Sequence, residues 1–503
     1  GNNRMPRDYD KIENDIAVTG FFSEYLPPCF KLDHKVFSYP PVEKCDLIAP
    51  VCFTMSRYNG NDSRRNIFIP EIGSYIVTQQ YIKQENIIQE LIEFSQKDNL
   101  SFSPILGEND SIVRHEQIYG GKLTSELDGI SSNYIENIAQ KIIRSEGAKH
   151  CFSSFYMHMI PAIMLGVKDA ENEYNKYTKD SNDSTIEEQY VKYRELDSIV
   201  RRQNLNRTNG LLTGPLYSKI IAEAMFTRID KELVESGIKF SRYVDDYDVY
   251  IYNNGEEKRD ISIFEKTLKR YGFTLNSEKT ELVEFPYYVA ENLEQLFQEQ
   301  SKEKLNDTET MNLFNSFFTL EKSGTKGAIR YLLKSIEKEP IDTTNPDLYK
   351  SYILTILGNN ERSLTKACLL LINNKDTLTL SDSNVKFIIN LLKSHLKYGH
   401  DLEVIWLFYL LIKTDKITKG DSTVSLIADS HNELAQVLLL QKNLLSKDLL
   451  DNICDKATSW ILLYELYASE HISEESFKKK LHLNKNLKMY QYFKNNHLHF
   501  CEF

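Results

Sequence analysis

The sequence predicts an α+β first half followed by an all-α second half, with the change near residue 290. A chain of 503 residues is too long for one ordinary hydrophobic core, so two or three domains are expected. Before residue 290, short aromatic and β-branched runs alternate with helical patterns. After it, Leu, Ile, Lys and Asn dominate and strand patterns fade. We therefore predict one domain over residues 1–290 and a helical domain over residues 291–503.

The composition limits the class of protein. The apolar fraction of 41% and the charged fraction of 26% are typical of a soluble globular protein. The longest apolar runs, such as residues 401–413, are too short to span a bilayer, and the polar N-terminus does not resemble a signal peptide. Seven cysteines without a CxxC pair indicate a reducing cytosol and argue against structural zinc. The net charge of −11 disfavours a large nucleic-acid groove but allows a local basic pocket.

Several helices are predicted from the spacing of apolar residues. Residues 72–97 carry apolar side chains at three- and four-residue intervals. A second long helix is predicted after the loop "NRTNGLLTGP" (206–215), with an apolar stripe that begins at Leu216. Gly210 and Gly214 in this loop would let the backbone approach a base or sugar closely. Beyond residue 290, recurring apolar stretches suit stacked helix pairs, although no exact repeat is visible.

The stretch "SRYVDDYDVYI" places two adjacent carboxylates, Asp245 and Asp246, between two strand-like runs. In one interpretation, the acids only make the local hydrogen bonds of a hairpin turn. In the other, they bind a metal, since Mg²⁺ prefers oxygen ligands and is usually held by one or two carboxylates plus substrate phosphates. A bound cation would also neutralise the repulsion between the adjacent acids.

Basic residues around this turn suit a triphosphate. Lys279 follows in the polar turn "LNSEKT", where it could pair with a phosphate or protonate a leaving pyrophosphate, or simply be solvated. Arg64 and Arg65 precede a strand-like run, and paired guanidinium groups suit triphosphate oxygens, although a surface loop would explain them equally well.

The order of these motifs resembles that of reverse transcriptases. The arginine pair, "SSFY", "NGLLTGPLYSKI", "YVDD" and "LNSEKT" follow one another as the fingers and palm motifs do in that family. Three stretches are similar in sequence to the abortive-infection (Abi) polymerases, anti-phage relatives of reverse transcriptases in bacteria. These stretches are "RTNGLLTGPLYSKIIAEAM", "FFSEYLPPCF" and "RRNIFIPEIGSY". This resemblance is specific over residues 20–285 and extends in layout to the whole chain.

The resemblance implies a fold and an activity. The fold would be a reverse-transcriptase-like palm and fingers followed by an all-α HEAT-like domain. Asp245 and Asp246 would bind Mg²⁺ or Mn²⁺, Lys279 would act in catalysis, and nucleotide would contact the residues Arg64, Arg65, Phe155, Tyr156, Gly214 and Pro215. Family members add dNTPs to DNA without a template, prime on their own tyrosine, keep the single-stranded product attached, and form ring-like oligomers. We therefore expect a cytoplasmic bacterial protein that forms a homo-oligomer, with a trimer favoured, and has no membrane partner.

One position departs from the family pattern. The stretch "CFSSFYMHMI" matches a motif that normally begins with a metal-bridging aspartate, but this chain has Cys151 there. A thiol is mostly protonated at pH 7 and is a poor magnesium ligand. The metal could be bound by Asp245, Asp246 and another oxygen group. Alternatively, Asp169 or another acid could complete the site. A misplaced alignment or a loss of catalysis would also explain the cysteine.

Protein priming needs a tyrosine that can reach the metal site. Tyr9 lies in the polar segment "MPRDYDKIEND", where mobility is expected, whereas Tyr25 in "FFSEYLPP" has neighbours that suggest packing. Tyr9 is the predicted primer and Tyr25 the second choice. Two other functions stay open: a templated reverse transcriptase, and a catalytically silent scaffold that senses a phage component.

Overall fold

The computed structural model describes residues 5–56, 64–97, 101–112, 141–145, 151–252, 255–284 and 292–503. The chain divides into two compact units. Unit 1 comprises Gly1–Phe21, Phe37–Pro50 and Pro70–Ala290, and unit 2 comprises Phe22–Val36, Val51–Ile69 and Glu291–Phe503.

The secondary structure is mostly helical. The strands are β1 (Val51–Met55), β2 (Arg65–Ile69), β3 (Lys141–Ser145), β4 (Lys239–Tyr243), β5 (Asp246–Ile251), β6 (Thr280–Glu284), β7 (Lys304–Leu305) and β8 (Asp342–Thr343). The α-helices are α1 (Tyr9–Thr19), α2 (Ile72–Gln84), α3 (Ile87–Ser95), α4 (Cys151–Ser154), α5 (Ile160–Leu165), α6 (Val167–Lys179), α7 (Glu188–Arg202), α8 (Leu216–Glu235), α9 (Glu257–Arg270), α10 (Leu293–Gln300), α11 (Asp307–Lys322), α12 (Ala328–Lys338), α13 (Pro346–Asn359), α14 (Leu364–Asn373), α15 (Asp382–Lys397), α16 (Asp401–Lys413), α17 (Ser422–Ala428), α18 (Glu433–Gln441), α19 (Lys447–Lys456), α20 (Trp460–Ala468), α21 (Glu474–Leu481) and α22 (Leu487–Asn495). In the part of the chain that the structure describes, no helix has the length and apolarity needed to cross a membrane.

Unit 1 is built on a four-stranded antiparallel sheet in the order β4-β5-β3-β6. Its central strand β5 is buried from Tyr247 to Ile251, as the aromatic and β-branched sequence predicts. The long helix α8 begins at Leu216 and buries most of its length, including Ile220, Met225 and Ile229 of the predicted apolar stripe. Sheet and helix together form the support for the acidic turn.

The helix predicted over residues 72–97 is two helices in the structure. Helix α2 ends at Gln84 and α3 begins at Ile87. Between them Asn86 has φ 53°, in the left-handed region that ends a regular helix. Asn tolerates this conformation better than most residues, so one asparagine turns the chain without changing the apolar spacing on either side.

Unit 2 contains α10 to α22, the β1–β2 hairpin, and the segment 22–36. The helix α16 is buried along nearly all its length, from Leu402 to Ile412, and α20 is buried from Trp460 to Tyr467. A helix that is apolar all round belongs in the interior of a large core. The helical character of this part of the chain follows the prediction, while its HEAT-like arrangement stays a prediction.

The assignment of two N-terminal segments to unit 2 was not predicted. The Trp460 indole donates to the Ile69 carbonyl over 3.3 Å, and the Trp406 indole donates to the Tyr25 carbonyl over 2.6 Å. These side chains lie almost 400 residues from their partners, so no local pattern could reveal the contacts. As a result, the strand that follows Arg64 belongs to unit 2 and not to the unit of the acidic turn.

Candidate active site

The two acids lie at a tight turn between β4 and β5. Tyr243 pairs with Asp246, so Val244 and Asp245 alone connect the strands. Val244 has φ 56°, an unusual conformation for a β-branched residue. The left-handed region costs an L-residue roughly 1–2 kcal/mol, so the surrounding structure must hold the turn in place.

A buried arginine holds this turn. Arg242 is completely buried, and its Nη1 donates to the Val244 carbonyl over 2.6 Å. On the other side of the turn, the Val244 amide donates to the Ser103 hydroxyl over 2.8 Å. Both backbone polar groups of the strained residue are therefore fixed by side chains from other parts of unit 1.

The guanidinium of Arg242 is in turn fixed by two acids of α8. Its Nε donates to Asp230 over 2.8 Å, and its two terminal nitrogens donate to the Glu223 oxygens over 3.0 Å each. The Tyr247 hydroxyl also donates to Asp230, over 2.7 Å. Burial raises the pKa of Asp230 to about 6, against the lowering effect of the Arg242 charge. These four side chains form the buried network that links the turn to α8.

The acids of β5 differ in their surroundings. Asp246 is exposed and Asp245 is half-buried at the turn. Asp248 lies two residues further along, where the Arg144 guanidinium of β3 donates to it over 3.1 Å and 3.4 Å. Asp248 is thus a structural ion-pair partner, whereas Asp245 and Asp246 are the candidates for a metal at the sheet end.

Lys279 lies at the same end of the sheet as the acids. Thr280, Ser145 and Tyr247 occupy one row across β6, β3 and β5. Lys279 immediately precedes Thr280, and Asp246 immediately precedes Tyr247, on two strands that run in the same direction. The backbones are two strand spacings apart, or about 10 Å. Lys279 is exposed, as a phosphate-binding or proton-donating role requires.

The loop before α8 lies against the segment that carries the aromatic pair. The Gly210 amide donates to the Phe155 carbonyl over 2.9 Å, and the Met157 amide donates to the Thr208 carbonyl over 2.9 Å. The two predicted nucleotide-binding aromatics face different environments. Phe155 is 1% exposed and packs edge-on against Phe273, whereas Tyr156 is 41% exposed. Only Tyr156 of this pair can contact a ligand in solution.

The start of α8 is positioned by close backbone packing. Gly214 has φ 139°, which favours glycine, and Pro215 follows as the cap of the helix. The Leu216 amide donates to the Gly20 carbonyl over 2.8 Å. A Cβ at Gly20 would lie 2.6 Å from that of Leu216, so only glycine fits there. No pattern in the sequence indicated this role for Gly20.

Arg64 lies in different surroundings from those predicted for a triphosphate ligand. Its Nε donates to the Thr54 hydroxyl over 3.0 Å, one terminal nitrogen forms an ion pair with Glu403, and the other lies 3.9 Å from Glu361. All these partners belong to unit 2. Arg65 is half-buried opposite Met55 in the hairpin of the same unit. The structure therefore gives these arginines a role within unit 2 and does not bring them together with Asp245 within one unit.

The predicted primers and the third metal ligand are placed as follows. Tyr9 begins α1, in an ordered helix and not a mobile segment, with its hydroxyl 3.4 Å from Glu93. Tyr25 is half-buried in unit 2. Cys151 begins α4, but its side chain lies outside the described part of the structure. Asp169 is exposed in the first turn of α6.

The acidic turn fits a divalent cation in part. Among the described side chains, no His, Cys, Asp or Glu joins Asp245 and Asp246 to make a group of three ligands. Two carboxylates are nevertheless enough for Mg²⁺ when substrate phosphates supply further oxygens. The pair therefore suits one cation that binds together with a nucleotide.

A comparison with protein families matches part of the chain. Residues 167–332 match the family model described as reverse transcriptase (RNA-dependent DNA polymerase). The match includes Gly214, Pro215, Asp245, Asp246 and Lys279 but begins after Tyr156. No curated protein matches the sequence.

Among solved structures, the chain is similar to three structures of two telomerases. Apo telomerase from Candida tropicalis has 12% identity and a TM-score of 0.33, over 77% of this chain and 70% of that one. The same telomerase with a fragment of telomeric RNA has 13% identity and a TM-score of 0.33, over 77% and 64%. Candida albicans telomerase with such a fragment has 11% identity and a TM-score of 0.31, over 80% and 66%.

Proposed function

We propose, from the reverse transcriptase family domain that residues 167–332 match, that this protein is a nucleotidyltransferase that adds deoxynucleotides to DNA. The observation that carries the proposal is the acidic turn. A strained Val244, held by Arg242 and Ser103, presents Asp245 and Asp246 at a sheet end that also bears Lys279. Strain of this kind persists at sites where the geometry of the turn matters for function.

Asp245 and Asp246 would hold Mg²⁺ or Mn²⁺ together with triphosphate oxygens. When bound, such a cation promotes attack by a hydroxyl and neutralises the charge of the leaving pyrophosphate. In the reaction, the hydroxyl oxygen of the primer bonds to the α-phosphorus of the dNTP, and the bond to the β-phosphate oxygen breaks. The repulsion between the two acids favours binding of a cation at the turn.

Two exposed side chains would act on the nucleotide itself. Lys279 would pair with the departing pyrophosphate or donate a proton to it, since this exposed residue lies at the same sheet end as the acids. Tyr156 would exclude a ribose 2′-hydroxyl, because a bulky exposed ring next to the Gly210 loop restricts the space for the sugar. Phe155 would support it from the core.

We further propose that synthesis is protein-primed and template-independent and serves defence against phage in the bacterial cytoplasm. The sequence resemblance to Abi polymerases supports this, and so does the acidic net charge of −11, since an enzyme that copies no duplex needs less positive surface. Of the two tyrosines, Tyr9 is favoured because it belongs to the same unit as the acidic turn, whereas Tyr25 belongs to the other unit. Glu93, 3.4 Å from the Tyr9 hydroxyl, could accept its proton.

A templated reverse transcriptase is the second candidate, because the matched family model describes RNA-dependent synthesis. Purified protein with Mg²⁺ and dNTPs, incubated with and without an RNA template and primer, separates the alternatives. A nuclease-sensitive shift of the protein band without template supports the first proposal. Extension only with template supports the second, and no product under either condition supports a silent scaffold.

The primer can be identified on the same product. Mass spectrometry after nuclease trimming should find the nucleotide adduct on the peptide that contains Tyr9, and Tyr9→Phe should abolish labelling while Tyr25→Phe retains it. An adduct on another peptide rejects Tyr9 as the primer, and a product without any adduct rejects protein priming.

We also propose a homotrimer, because a HEAT-like stack of helices in unit 2 would offer broad surfaces for self-association. Light scattering tests the assembly. A species of only 58.6 kDa at micromolar concentration would contradict it.

A further inference from the structure

We propose that Glu361, His395 and His400 form a zinc-binding site in unit 2, independent of nucleotide addition. One potential ligand atom from each side chain lies within 4.8 Å of the others, and no other such group of three occurs among the described residues. The absence of CxxC pairs argues only against cysteine-based zinc sites, so the sequence pattern does not exclude this one.

Three separate elements of unit 2 bring the ligands together. Glu361 begins the short 3-10 turn Glu361–Ser363, His395 lies in the last turn of α15, and His400 immediately precedes α16. The Nδ1 atoms of the two histidines are 2.8 Å apart, and His400 Nδ1 lies 3.8 Å from Glu361 Oε1. A metal here would connect the two helices and the turn.

The distances require modest movements. Ligand atoms about 2.0–2.1 Å from a tetrahedral zinc ion are roughly 3.3–3.4 Å apart. The histidine nitrogens would separate by about 0.5 Å, and the carboxylate would approach His400 by about the same amount. Its distance to the ligand atom of His395, which is at most 4.8 Å, would shorten by up to about 1.5 Å.

The two histidine rings already face each other through nitrogen atoms that can bind a metal. Their Nδ1 atoms are 2.8 Å apart, so one ring donates its Nδ1 proton to the Nδ1 of the other. When a metal binds both Nδ1 atoms, that proton moves to the Nε2 atom of its own ring, and both neutral imidazoles act as ligands.

The surrounding residues orient the Glu361 carboxylate and leave one side of the proposed zinc site open to water. Glu361 Oε2 faces Arg64 at 3.9 Å, while Oε1 faces His400. Arg64 is itself paired with Glu403, so its charge is balanced by a second acid and competes less for Glu361. The side chain of Glu361 is 44% exposed and that of His400 is 23% exposed, so water can supply a fourth ligand.

The donor set selects the class of metal. Two imidazoles and one carboxylate suit Zn²⁺, as in sites with an open fourth position. Mg²⁺ prefers oxygen ligands and would bind at this site poorly. Zinc binding in unit 2 should therefore persist in the presence of the Mg²⁺ that the polymerase reaction needs.

Zinc titration of the full chain tests the proposal. Chelator-treated protein is titrated with Zn²⁺ against a fluorescent zinc indicator in excess Mg²⁺. Wild type should bind one equivalent of Zn²⁺. Glu361→Gln and His400→Gln should bind it at least ~10–100-fold more weakly, the range for disturbing a zinc site. The control His431→Gln changes an exposed histidine of the same unit and should bind as wild type does.

A second measurement distinguishes loss of the metal site from misfolding of a variant. Co²⁺ should give a visible absorption band in wild type and in His431→Gln but not in Glu361→Gln, whose side chain is exposed enough for the fold to tolerate the change. Equal zinc affinity in all variants, or no binding by wild type at micromolar Zn²⁺, would overturn the site. Asp245→Asn should retain it, which separates this proposal from the proposed catalysis.

Discussion

Replacement of Arg242 by Met tests the buried network behind the acidic turn. The change removes the donors to Asp230, Glu223 and the Val244 carbonyl, and it leaves two acids of α8 buried without their cation. Met fills much of the same volume, so lost packing contributes little. The effect measured is therefore that of uncompensated buried charge and of a turn without its support.

The expected loss of stability follows from the burial of Arg242, Asp230 and Glu223. Arg242 and Asp230 are 0% exposed and Glu223 is 7% exposed. Removing one partner of a buried ion pair costs about 3–5 kcal/mol, a large part of a typical unfolding free energy of about 5–15 kcal/mol. Nucleotide addition should fall by at least ~100-fold, because the turn loses the group that fixes it. Adding Glu223→Gln to Arg242→Met should restore part of the stability by removing one buried charge.

Hydrogen exchange is the appropriate assay. Both tryptophans, Trp406 and Trp460, lie in unit 2, so their fluorescence would not report on the turn. Amides of residues 239–251 should exchange roughly 150- to 5,000-fold faster in Arg242→Met, the equivalent of about 3–5 kcal/mol.

The matched control is Arg270→Met. The guanidinium of Arg270 is 56% exposed and pairs with Glu232 over 3.1 Å, and an exposed pair of this kind is worth only about 0–1 kcal/mol. Exchange in Arg242→Met that matches the control would refute the claim that the network holds the turn.

Three further predictions concern other positions. Cys151→Asp should retain or raise nucleotide addition and lower the Mg²⁺ concentration for half-maximal rate; an unfolded variant would mean that the position is core. Tyr156→Ala should raise ribonucleotide relative to deoxynucleotide incorporation by at least ~tenfold, whereas unchanged selectivity would remove Tyr156 from the sugar site. The hydrogen bond from His499 to Glu465 over 2.7 Å raises the pKa of His499, so its contribution to stability is present below about pH 6.5 and is lost as the pH rises through the higher folded-state pKa. Urea unfolding should therefore show a larger gap between wild type and His499→Gln at pH 6 than at pH 8.5, and a constant gap would contradict the raised pKa.

Local patterns predicted the elements of the site but not what holds them. The spacing from Leu216 onward indicated α8, and the alternation around Asp245 and Asp246 indicated a hairpin, because both signals lie within one element. Asn86, in contrast, divided a predicted helix through a single backbone conformation that leaves the apolar spacing intact.

The contacts that the sequence did not predict are mainly those between side chains distant in the sequence. Arg242 stands two residues before Val244 but makes its ion pairs with Glu223 and Asp230 on another element. A basic residue among the aromatic residues of a strand was the available signal, because a charge that is buried in such a position must be paired. Arg64 has its acidic partner Glu403 339 residues away, a pairing that no spacing in the sequence could indicate.

Nucleotide addition by Asp245→Asn and Asp246→Asn tests the central claim most directly. Each variant, with Mg²⁺ and labelled dNTPs, should lose at least ~100-fold of the wild-type rate, comparable to the loss of one key electrostatic group. Hydrogen exchange of residues 239–251 should stay as in wild type, since Asp246 is exposed and Asp245 is half-buried. Full activity in the double variant would contradict the assignment of this turn as the catalytic site.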